Sequence, residues 1–189
     1  QPWSSAFFQS IADEFDNQDD MDRMIGFDHV VTRKQVDERM QKEGTDEEEI
    51  NYFGFAETAI KQNIKDYITN STADNKRMFM SHFTSTTHHP WEWFNRTDYL
   101  GESTGGLTSS HEDSNNYLNA VHFNDVWVGQ VMQLLEDLGV ANETLVVFVG
   151  DHGQAFREDA HISGTYQNGH ISNFRVPLVF HHQLMPRVQ

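Results

Sequence analysis

Apolar and polar positions alternate along the chain in ways that predict four helices. In residues 2–16 the apolar side chains recur near the helical period, which predicts a short amphipathic helix. Residues 32–42 form a polar helical pattern that Gly44 ends, and a capping box from Thr45 to Glu48 predicts that the next helix begins there and stops before residue 70. A fourth helix is predicted over residues 114–138, because Ser114 can cap its start and Gly139 can close its end. Its apolar spacing predicts an inward face that begins with Tyr117.

Three short runs of apolar residues predict strands. Residues 76–84 form the first, and a polar cluster follows it. Residues 145–149 are an unbroken apolar, β-branched run of the kind found in the middle of a parallel sheet. Residues 176–180 form a second such run, in which Pro177 lacks a backbone donor and indicates the start of the strand or an edge position. Helix, strand, polar loop and strand in this order are typical of an α/β fold. We expect one domain overall, in which residues 1–75 form a helical N-terminal segment packed on a core of residues 76–189.

The fraction of hydrophobic residues in the chain is lower than a compact enzyme usually has. The chain has 189 residues, of which 37% are hydrophobic, and this low fraction indicates long polar loops or a missing partner segment. The sequence has no cysteine and no run of 18 apolar residues, so thiolate chemistry and a membrane-spanning helix are not expected within it. It begins with neither methionine nor a signal peptide, which predicts a soluble excerpt of a larger protein.

The strongly acidic net charge argues against a nucleic acid polymer as the binding partner. With 29 acidic and 13 basic residues, the chain has a formal charge of −16, which repels the phosphate backbone of a nucleic acid polymer. A small anionic ester can still bind where a metal ion supplies positive charge locally. Three sequons, at Asn70, Asn95 and Asn142, would accept N-glycans in a secretory pathway.

The residues after the second predicted strand carry the clearest chemistry. Gly150-Asp151-His152-Gly153 places a carboxylate and an imidazole just past the carboxyl end of that strand, where open α/β sheets bind their ligands. These two groups suit Zn²⁺ or Mn²⁺, and the flanking glycines allow both side chains to face one ion. Taken alone, the motif more often marks a turn that ends a strand, in which Asp151 only accepts local hydrogen bonds.

The surrounding sequence resembles a known family. Residues 117–180 are similar to the corresponding part of the alkaline-phosphatase/sulfatase superfamily, especially the branch of lipoteichoic acid synthases and phosphoethanolamine transferases. The resemblance covers about the last 110 residues well and the first 75 only vaguely. Its features occur in the family's order: Leu138-Gly139, Asn142-Glu143-Thr144, residues 145–149, Gly150-Asp151-His152-Gly153, Gly169-His170 and Val176-Pro177.

The resemblance implies a fold and a metal site. The fold is a partial alkaline-phosphatase-like three-layer sandwich, with a mostly parallel sheet flanked by helices. Asp151 and His152 correspond to ligands of a divalent cation, with Mn²⁺ or Zn²⁺ foremost and Ca²⁺ or Mg²⁺ as alternatives. His170 corresponds to the downstream histidine that contacts the phosphoryl or sulfuryl group or a second metal, and His161 is the competing candidate in the same loop.

A second histidine motif follows the first predicted strand. Thr87-His88-His89-Pro90-Trp91 resembles the family's histidine that is followed by proline and an aromatic residue. The resemblance makes His88 the catalytic histidine, with His89 and Trp91 as substrate-binding neighbours, although a register shifted by one residue stays open. The alternative is a pair of surface histidines without a role in binding.

The resemblance also shows what this chain lacks. The family's nucleophile and a further acidic ligand lie in an N-terminal half for which we find no counterpart. The chain is therefore expected to be a fragment of a metal-dependent sulfatase or phosphoryl-transfer enzyme, inactive alone and partnered by the rest of its parent chain. Its expected substrate is a small anionic ester or a glycan- or lipid-linked one, and its expected location is extracellular or lumenal, in a membrane-anchored or secreted protein. The alternatives are a noncatalytic module that binds phosphorylated, nucleotide-like or saccharide ligands, and an interaction domain whose acidic helices bind partners.

Overall fold

A computed structural model describes residues 1–12, 18–47, 49–51, 53–91, 112–156 and 169–186 of the chain. Contacts between Cα atoms divide the chain into two compact units. The first unit consists of Gln1–Trp93 and Ala120–Leu134, and the second consists of Phe94–Asn119 and Leu135–Gln189. Each unit has its own β-sheet, and the two are described separately.

The first unit is built on a three-stranded parallel sheet. Strand β1 (Trp3–Phe8) lies in the centre, between β2 (His29–Val31) and β5 (Arg77–His82). Residues of β1 alternate between the two faces, so that Ser4, Ala6 and Phe8 are buried while the residues between them are more exposed. The predicted parallel sheet is therefore present, and its order places the carboxyl ends of all three strands at one edge.

The helix predicted over residues 2–16 is wrong, because residues 3–8 form β1. Its apolar residues Trp3, Phe7 and Ile11 are spaced by four, and four is a multiple of the strand period of two as well as close to the helical period. Pairing with β5, more than 70 residues away, decides in favour of the strand. This pairing is a tertiary contact that local spacing does not contain.

The helix predicted over residues 32–42 is present, and a helix that was not predicted precedes it. Helix α1 is Gln18–Met24, and helix α2 is Arg33–Glu43, which Thr32 caps together with Gln35 in a capping box. Gly44 ends α2 in the left-handed conformation, with φ of 68°, as predicted.

The helix predicted to begin at Thr45 starts later than expected. The chain first forms strands β3 (Glu49–Asn51) and β4 (Gly54–Phe55), then a 3₁₀ turn (Glu57–Ile60), and only then α3 (Lys61–Ala73). Gly54 has φ of 151°, and a Cβ atom there would lie 2.8 Å from the Ser10 carbonyl oxygen. A helix cannot pass through a residue held in this conformation, so the backbone pairing at Gly54 overrides the capping signal.

One face of the parallel sheet is covered by helices. The Tyr67 hydroxyl of α3 donates to the Ser4 carbonyl oxygen at 2.7 Å. The long helix α4 is Glu112–Asp137, close to the predicted residues 114–138, and Gly139 follows it with φ of 72°. The core between these elements is formed by fully buried side chains, among them Ala6, Phe8, Ile60, Ile64, Ile68 and Trp127.

The sheet of the second unit has two antiparallel strands. Strands β6 (Val146–Val149) and β7 (Leu178–His181) lie close to the two predicted strands, but they pair antiparallel to each other. The burial expected of residues 145–149 as an inner strand of a parallel sheet is not observed, because no residue of β6 is buried and Val149 is 66% exposed. Every residue of β7 is exposed, which agrees with the edge position that Pro177 indicated. These strands have the apolar composition of inner strands, yet their described side chains are largely exposed. Among the described helices, none is long and apolar enough to cross a membrane.

A partly buried histidine links the sheet to α4 in the first unit. The His82 Nδ1–H group donates to the Phe8 carbonyl oxygen at 3.1 Å, and His82 Nε2 accepts from the Trp127 indole N–H at 2.9 Å. Both bonds require the neutral imidazole, since a protonated Nε2 would face the indole N–H. Burial lowers the pKa of His82 from its usual value of 6.5, and the bond to Phe8 opposes this only in part.

We expect the free energy of unfolding to fall as the pH drops below about 6.5, because the unfolded chain then binds a proton at His82 that the folded chain binds only at lower pH. Urea unfolding of the chain at pH 7.5 and pH 5.5 measures the effect. A His82→Gln variant, which does not titrate, should show a smaller difference between the two pH values. Equal differences in the variant and the unsubstituted chain would show that His82 does not cause the dependence.

Candidate functional site

The loop after β6 exposes the two predicted metal ligands side by side. Asp151 Oδ2 and His152 Nε2 are 3.8 Å apart, and their side chains are 65% and 62% exposed. Bonds from a metal ion to oxygen and nitrogen ligands are about 2.0–2.2 Å long, so one ion can span this separation. The Asp151 Oδ1 atom accepts from the His152 backbone N–H at 2.8 Å, which leaves Oδ2 as the oxygen turned toward the imidazole.

The tautomer of His152 also suits a metal ligand. His152 Nδ1 lies 2.8 Å from the Gly153 carbonyl oxygen. A carbonyl oxygen only accepts hydrogen bonds, so Nδ1 carries the proton and Nε2 keeps its lone pair in the neutral ring. Metal-binding histidines are oriented by this kind of hydrogen bond on the opposite ring nitrogen. The residues present therefore fit a divalent cation with one oxygen and one nitrogen ligand.

Close backbone packing joins this loop to the turn that carries His170. The Gly153 N–H donates to the Asn173 carbonyl oxygen at 2.9 Å, and the Asn173 N–H donates to the His170 carbonyl oxygen at 3.1 Å. A Cβ atom at Gly153 would lie 1.9 Å from the Ser172 carbonyl oxygen, so only glycine fits. The structure thus brings His170 into the same part of the second unit as Asp151 and His152.

His170 presents the opposite ring nitrogen from His152. Its Nδ1 atom accepts from the Ser172 backbone N–H at 3.2 Å, at the start of the 3₁₀ turn Ile171–Phe174. The neutral ring therefore carries its proton on Nε2. In this tautomer the Nε2–H group of His170 can donate to an anionic oxygen, whereas Nε2 of His152 has a lone pair for a metal ion.

The phenol of Tyr117 lies within the electrostatic influence of Asp151, although the sequence indicated only a core position for Tyr117. Burial raises the pKa of the Tyr117 phenol, and the negative charge of Asp151 raises it further. Its ring packs against Phe156, with centroids 5.2 Å apart. The apolar spacing in α4 identified Tyr117 as an inward residue but contained no signal for the carboxylate near it.

Further metal ligands are not supplied by the described residues. Within the ranges that the structure covers, no group of three or more His, Asp or Glu side chains is arranged to hold a metal ion. The alternative candidate His161 lies outside the described residues.

The loop after β5 holds the second predicted histidine motif, in the first unit. His88 is exposed, and its Nδ1–H group donates to the His89 carbonyl oxygen at 2.7 Å, so Nε2 keeps its lone pair in the neutral ring. The His88 ring lies edge-to-face with Phe53, at a centroid distance of 4.7 Å, and 4.2 Å from the His89 ring. The orientation of His88 is thus defined by several contacts.

Trp91 lies inside this loop. It is 3% exposed, and its indole N–H donates to the Thr87 carbonyl oxygen at 2.9 Å. This burial gives Trp91 a packing role that the sequence did not indicate. Its contact with a substrate, like that of His89, stays a prediction.

Comparisons with known proteins agree with the fold. A family model described as "Sulfatase" matches residues 4–185, so the likeness extends into the N-terminal residues, where the motifs gave only a vague match. Iduronate 2-sulfatase of Homo sapiens is 35% identical over 65 residues, which are 34% of this chain and 12% of that protein.

Two solved structures are similar over almost the whole chain. The lipoteichoic acid synthase LtaP from Listeria monocytogenes has a TM-score of 0.72 at 21% identity, over 98% of this chain and 44% of that one. The C-terminal periplasmic domain of EcEptC from Escherichia coli, solved in complex with Zn, has a TM-score of 0.58 at 16% identity, over 95% of this chain and 48% of that one. The chain thus spans less than half the length of these structures.

These matches confirm the predicted α/β class, a parallel sheet with flanking helices as in the alkaline phosphatase superfamily. Since the family model covers nearly every residue, the chain belongs to the sulfatase family.

Proposed function

We propose that the chain is the metal-binding part of a metal-dependent sulfatase or phosphoryl-transfer enzyme that acts on sulfate or phosphate esters. The observation that carries this proposal is the geometry of Asp151 and His152. Their ligand atoms are 3.8 Å apart and exposed, and the hydrogen bond from His152 to Gly153 leaves the lone pair of Nε2 for a metal ion. Family membership supports this type of chemistry without choosing between the two kinds of ester.

Asp151 and His152 would hold a divalent cation, with Mn²⁺ or Zn²⁺ as the first candidates and Ca²⁺ or Mg²⁺ as alternatives. When bound, such a cation stabilises negative charge that develops on oxygen atoms of the ester. The Zn complex of the EcEptC domain supports the choice of a transition metal.

The histidines would contribute hydrogen bonds and proton transfer. His170 would donate its Nε2–H group to an oxygen of the sulfuryl or phosphoryl group, because Nδ1 is occupied by the Ser172 N–H. His88 keeps an unprotonated Nε2 in its neutral form and could accept a proton there. His89, Trp91 and His161 remain predicted substrate contacts.

We also propose that the rest of the parent protein completes both the site and the sheet of the second unit. The described residues provide two adjacent metal ligands but no third. In β7, Leu178, Val179 and Phe180 are 59%, 48% and 52% exposed. Exposed apolar strands of this kind are normally covered by further layers of polypeptide. Such a further part of the parent protein would supply the nucleophile and the other ligands.

The substrate and location that we propose follow the same comparisons. The substrate would be a small anionic ester or a glycan- or lipid-linked one, recognised through the metal ion rather than through the acidic surface of the chain. A nucleic acid polymer is not proposed, because the charge of −16 would repel it. The chain would lie outside the cytoplasm, in an extracellular or lumenal part of its parent, in keeping with the periplasmic location of the EcEptC domain.

We expect Mn²⁺ or Zn²⁺ to raise the melting temperature of the chain. At a free metal concentration ten times Kd, linkage adds about 1.4 kcal/mol to the free energy of unfolding. For a chain of this size, this corresponds to roughly 3–6 °C. Differential scanning fluorimetry with and without each metal measures the shift.

Asp151→Asn is the matched variant for this experiment. The asparagine oxygen can still accept from the His152 N–H, so the loop is retained while the charge is removed, and the shift should disappear. Asp74→Asn, which changes an exposed carboxylate paired with Lys76, should keep the full shift. A melting temperature that millimolar metal leaves unchanged, or a shift that Asp151→Asn retains, would argue against the proposed site.

A second candidate function is a noncatalytic module that binds phosphorylated, nucleotide-like or saccharide ligands. The presence of two metal ligands without a third among the described residues favours it. Calorimetric binding of such a ligand by the metal-loaded parent, without hydrolysis or transfer, would support this function over the enzymatic one.

A further inference from the structure

Glu57 is a buried carboxylate that faces backbone amides. Its side chain is fully buried at the start of the 3₁₀ turn Glu57–Ile60. Its Oε1 atom accepts from the Ser85 N–H at 2.6 Å and from the Thr86 N–H at 2.8 Å. Among the residues that the structure describes, no Lys or Arg side chain forms an ion pair with it. Two amides that are 28 and 29 residues away in sequence therefore donate to one oxygen of this acid, while its Oε2 atom is buried without a hydrogen-bond partner among the described residues.

Burial of this carboxylate is costly. An ionised carboxylate loses its hydration when it is buried, and amide hydrogen bonds recover only part of that free energy. Burial accordingly raises the pKa of Glu57, although the amides of Thr86 and Ser85 act in the opposite direction. A buried polar group of this kind has to satisfy a structural or functional requirement that an apolar residue would not meet.

The two amides lie at the beginning of the loop that carries His88. The His88 N–H donates to the Ser85 carbonyl oxygen at 2.8 Å, so Ser85 is bound by Glu57 on one side and by His88 on the other. The His88 ring then contacts Phe53 and donates to the His89 carbonyl oxygen. A continuous set of hydrogen bonds therefore connects Glu57 to the backbone of His88.

We infer that Glu57 is a positioning residue: by fixing the amides of Ser85 and Thr86, it holds the His88 loop in the conformation in which the Nε2 lone pair of His88 is directed to substrate. This inference rests on the proposed function as far as the substrate role of His88 is concerned. The orientation of His88 by Glu57 is a property of the chain itself, and it can be tested without turnover.

Long-range ¹H–¹⁵N NMR of the histidine side chains tests it on the intact chain. In the unsubstituted protein, His88 should show the Nδ1–H tautomer and a ring-current shift from Phe53. Glu57→Gln retains an acceptor oxygen of the same reach and should keep both signals. Glu57→Leu removes the acceptor, and His88 should then show averaged tautomers and lose the ring-current shift.

Two further variants keep the result interpretable. Ser71→Ala, a change at another buried polar residue of the first unit, should leave the His88 signals unchanged even if it lowers the melting temperature. If Glu57→Leu does not fold, Glu57→Asp withdraws the acceptor by one methylene and should move the His88 signals part of the way. Unchanged His88 signals in a folded Glu57→Leu or Glu57→Asp variant would overturn the inference, as would a loss in Glu57→Gln equal to that in Glu57→Leu.

Titration with sodium sulfate separates this inference from the proposed function. Sulfate should shift the His88 signals of the unsubstituted chain, and Glu57→Leu should weaken that response at least tenfold. If sulfate has no effect on unsubstituted His88, the substrate role of His88 fails. The tautomer and ring-current signals of the variants still decide the role of Glu57.

Discussion

Replacing Trp127 with alanine should lower the free energy of unfolding of the chain by about 3–5 kcal/mol, the usual cost of removing a large aromatic side chain from a core. Trp127 is 1% exposed and lies on α4 against the parallel sheet of the first unit. Its indole N–H also donates to His82 Nε2 at 2.9 Å, so the substitution leaves this partly buried acceptor without its donor. Urea unfolding followed by circular dichroism measures the loss.

Trp127→Phe separates packing from the hydrogen bond. Phenylalanine keeps most of the apolar volume but cannot donate to His82, and the expected loss is the roughly 1–3 kcal/mol of an unsatisfied buried group. Trp127→Phe should therefore lie between the unsubstituted chain and Trp127→Ala. A loss below about 1 kcal/mol for Trp127→Ala would contradict the packing that the structure shows.

Replacing Gly153 with alanine should destabilise the second unit and displace His152. The added Cβ would lie 1.9 Å from the Ser172 carbonyl oxygen and 2.9 Å from that of Arg175, and both are backbone atoms that cannot rotate away. Overpacking usually costs about 1–3 kcal/mol, and a contact this short should reach at least the upper end of that range. The His152 hydrogen bond to the Gly153 carbonyl should be disturbed as well, so metal binding should be lost. Urea unfolding and calorimetric metal titration measure the two effects.

Gly129→Ala is the control for this substitution. Gly129 lies inside α4, and an added Cβ would meet no atom within 4 Å. Alanine is favoured over glycine inside a helix by roughly 0.5–1 kcal/mol, so this variant should be slightly more stable and should bind metal normally. If Gly153→Ala behaved like Gly129→Ala, the close packing of the loop against the His170 turn would be wrong.

Elements with strong local signals were predictable from the sequence. The apolar run at residues 145–149 and the glycine after the long helix led to β6 and α4, nearly at their observed limits. Gly44 likewise marked the end of α2. In each case, the residues that determine the element lie within it or directly beside it, so no tertiary contact is needed to predict it.

Elements that depend on distant partners were not predictable in the same way. Strand β1 has small residues, Ser4 and Ala6, on its buried face, so its apolar residues alone did not indicate a strand. The capping signal at Thr45 was overridden because Gly54 approaches the backbone of Ser10. Pairing over such separations depends on the whole fold.

The same distinction applies to the candidate site. Asp151 and His152 are adjacent in sequence and follow a strand, so a motif was enough to find them. Glu57 and His82 bind partners that are 28 and 45 residues away, and neither is surrounded by a recognisable pattern. The closeness of the His170 turn to Gly153 likewise depends on a backbone contact that only the structure shows.

The backbone pairing at Gly54, where the chain passes close to Ser10, is useful when this chain is compared with longer relatives. With φ of 151° and a carbonyl oxygen where a side chain would begin, this position excludes every residue except glycine as long as the strand pairing is kept. A homologous protein that retains this backbone pairing should therefore retain the glycine, even if the loops around it differ in length or sequence. This single residue could serve as a landmark for locating the N-terminal strands of the domain where overall identity is too low to align them.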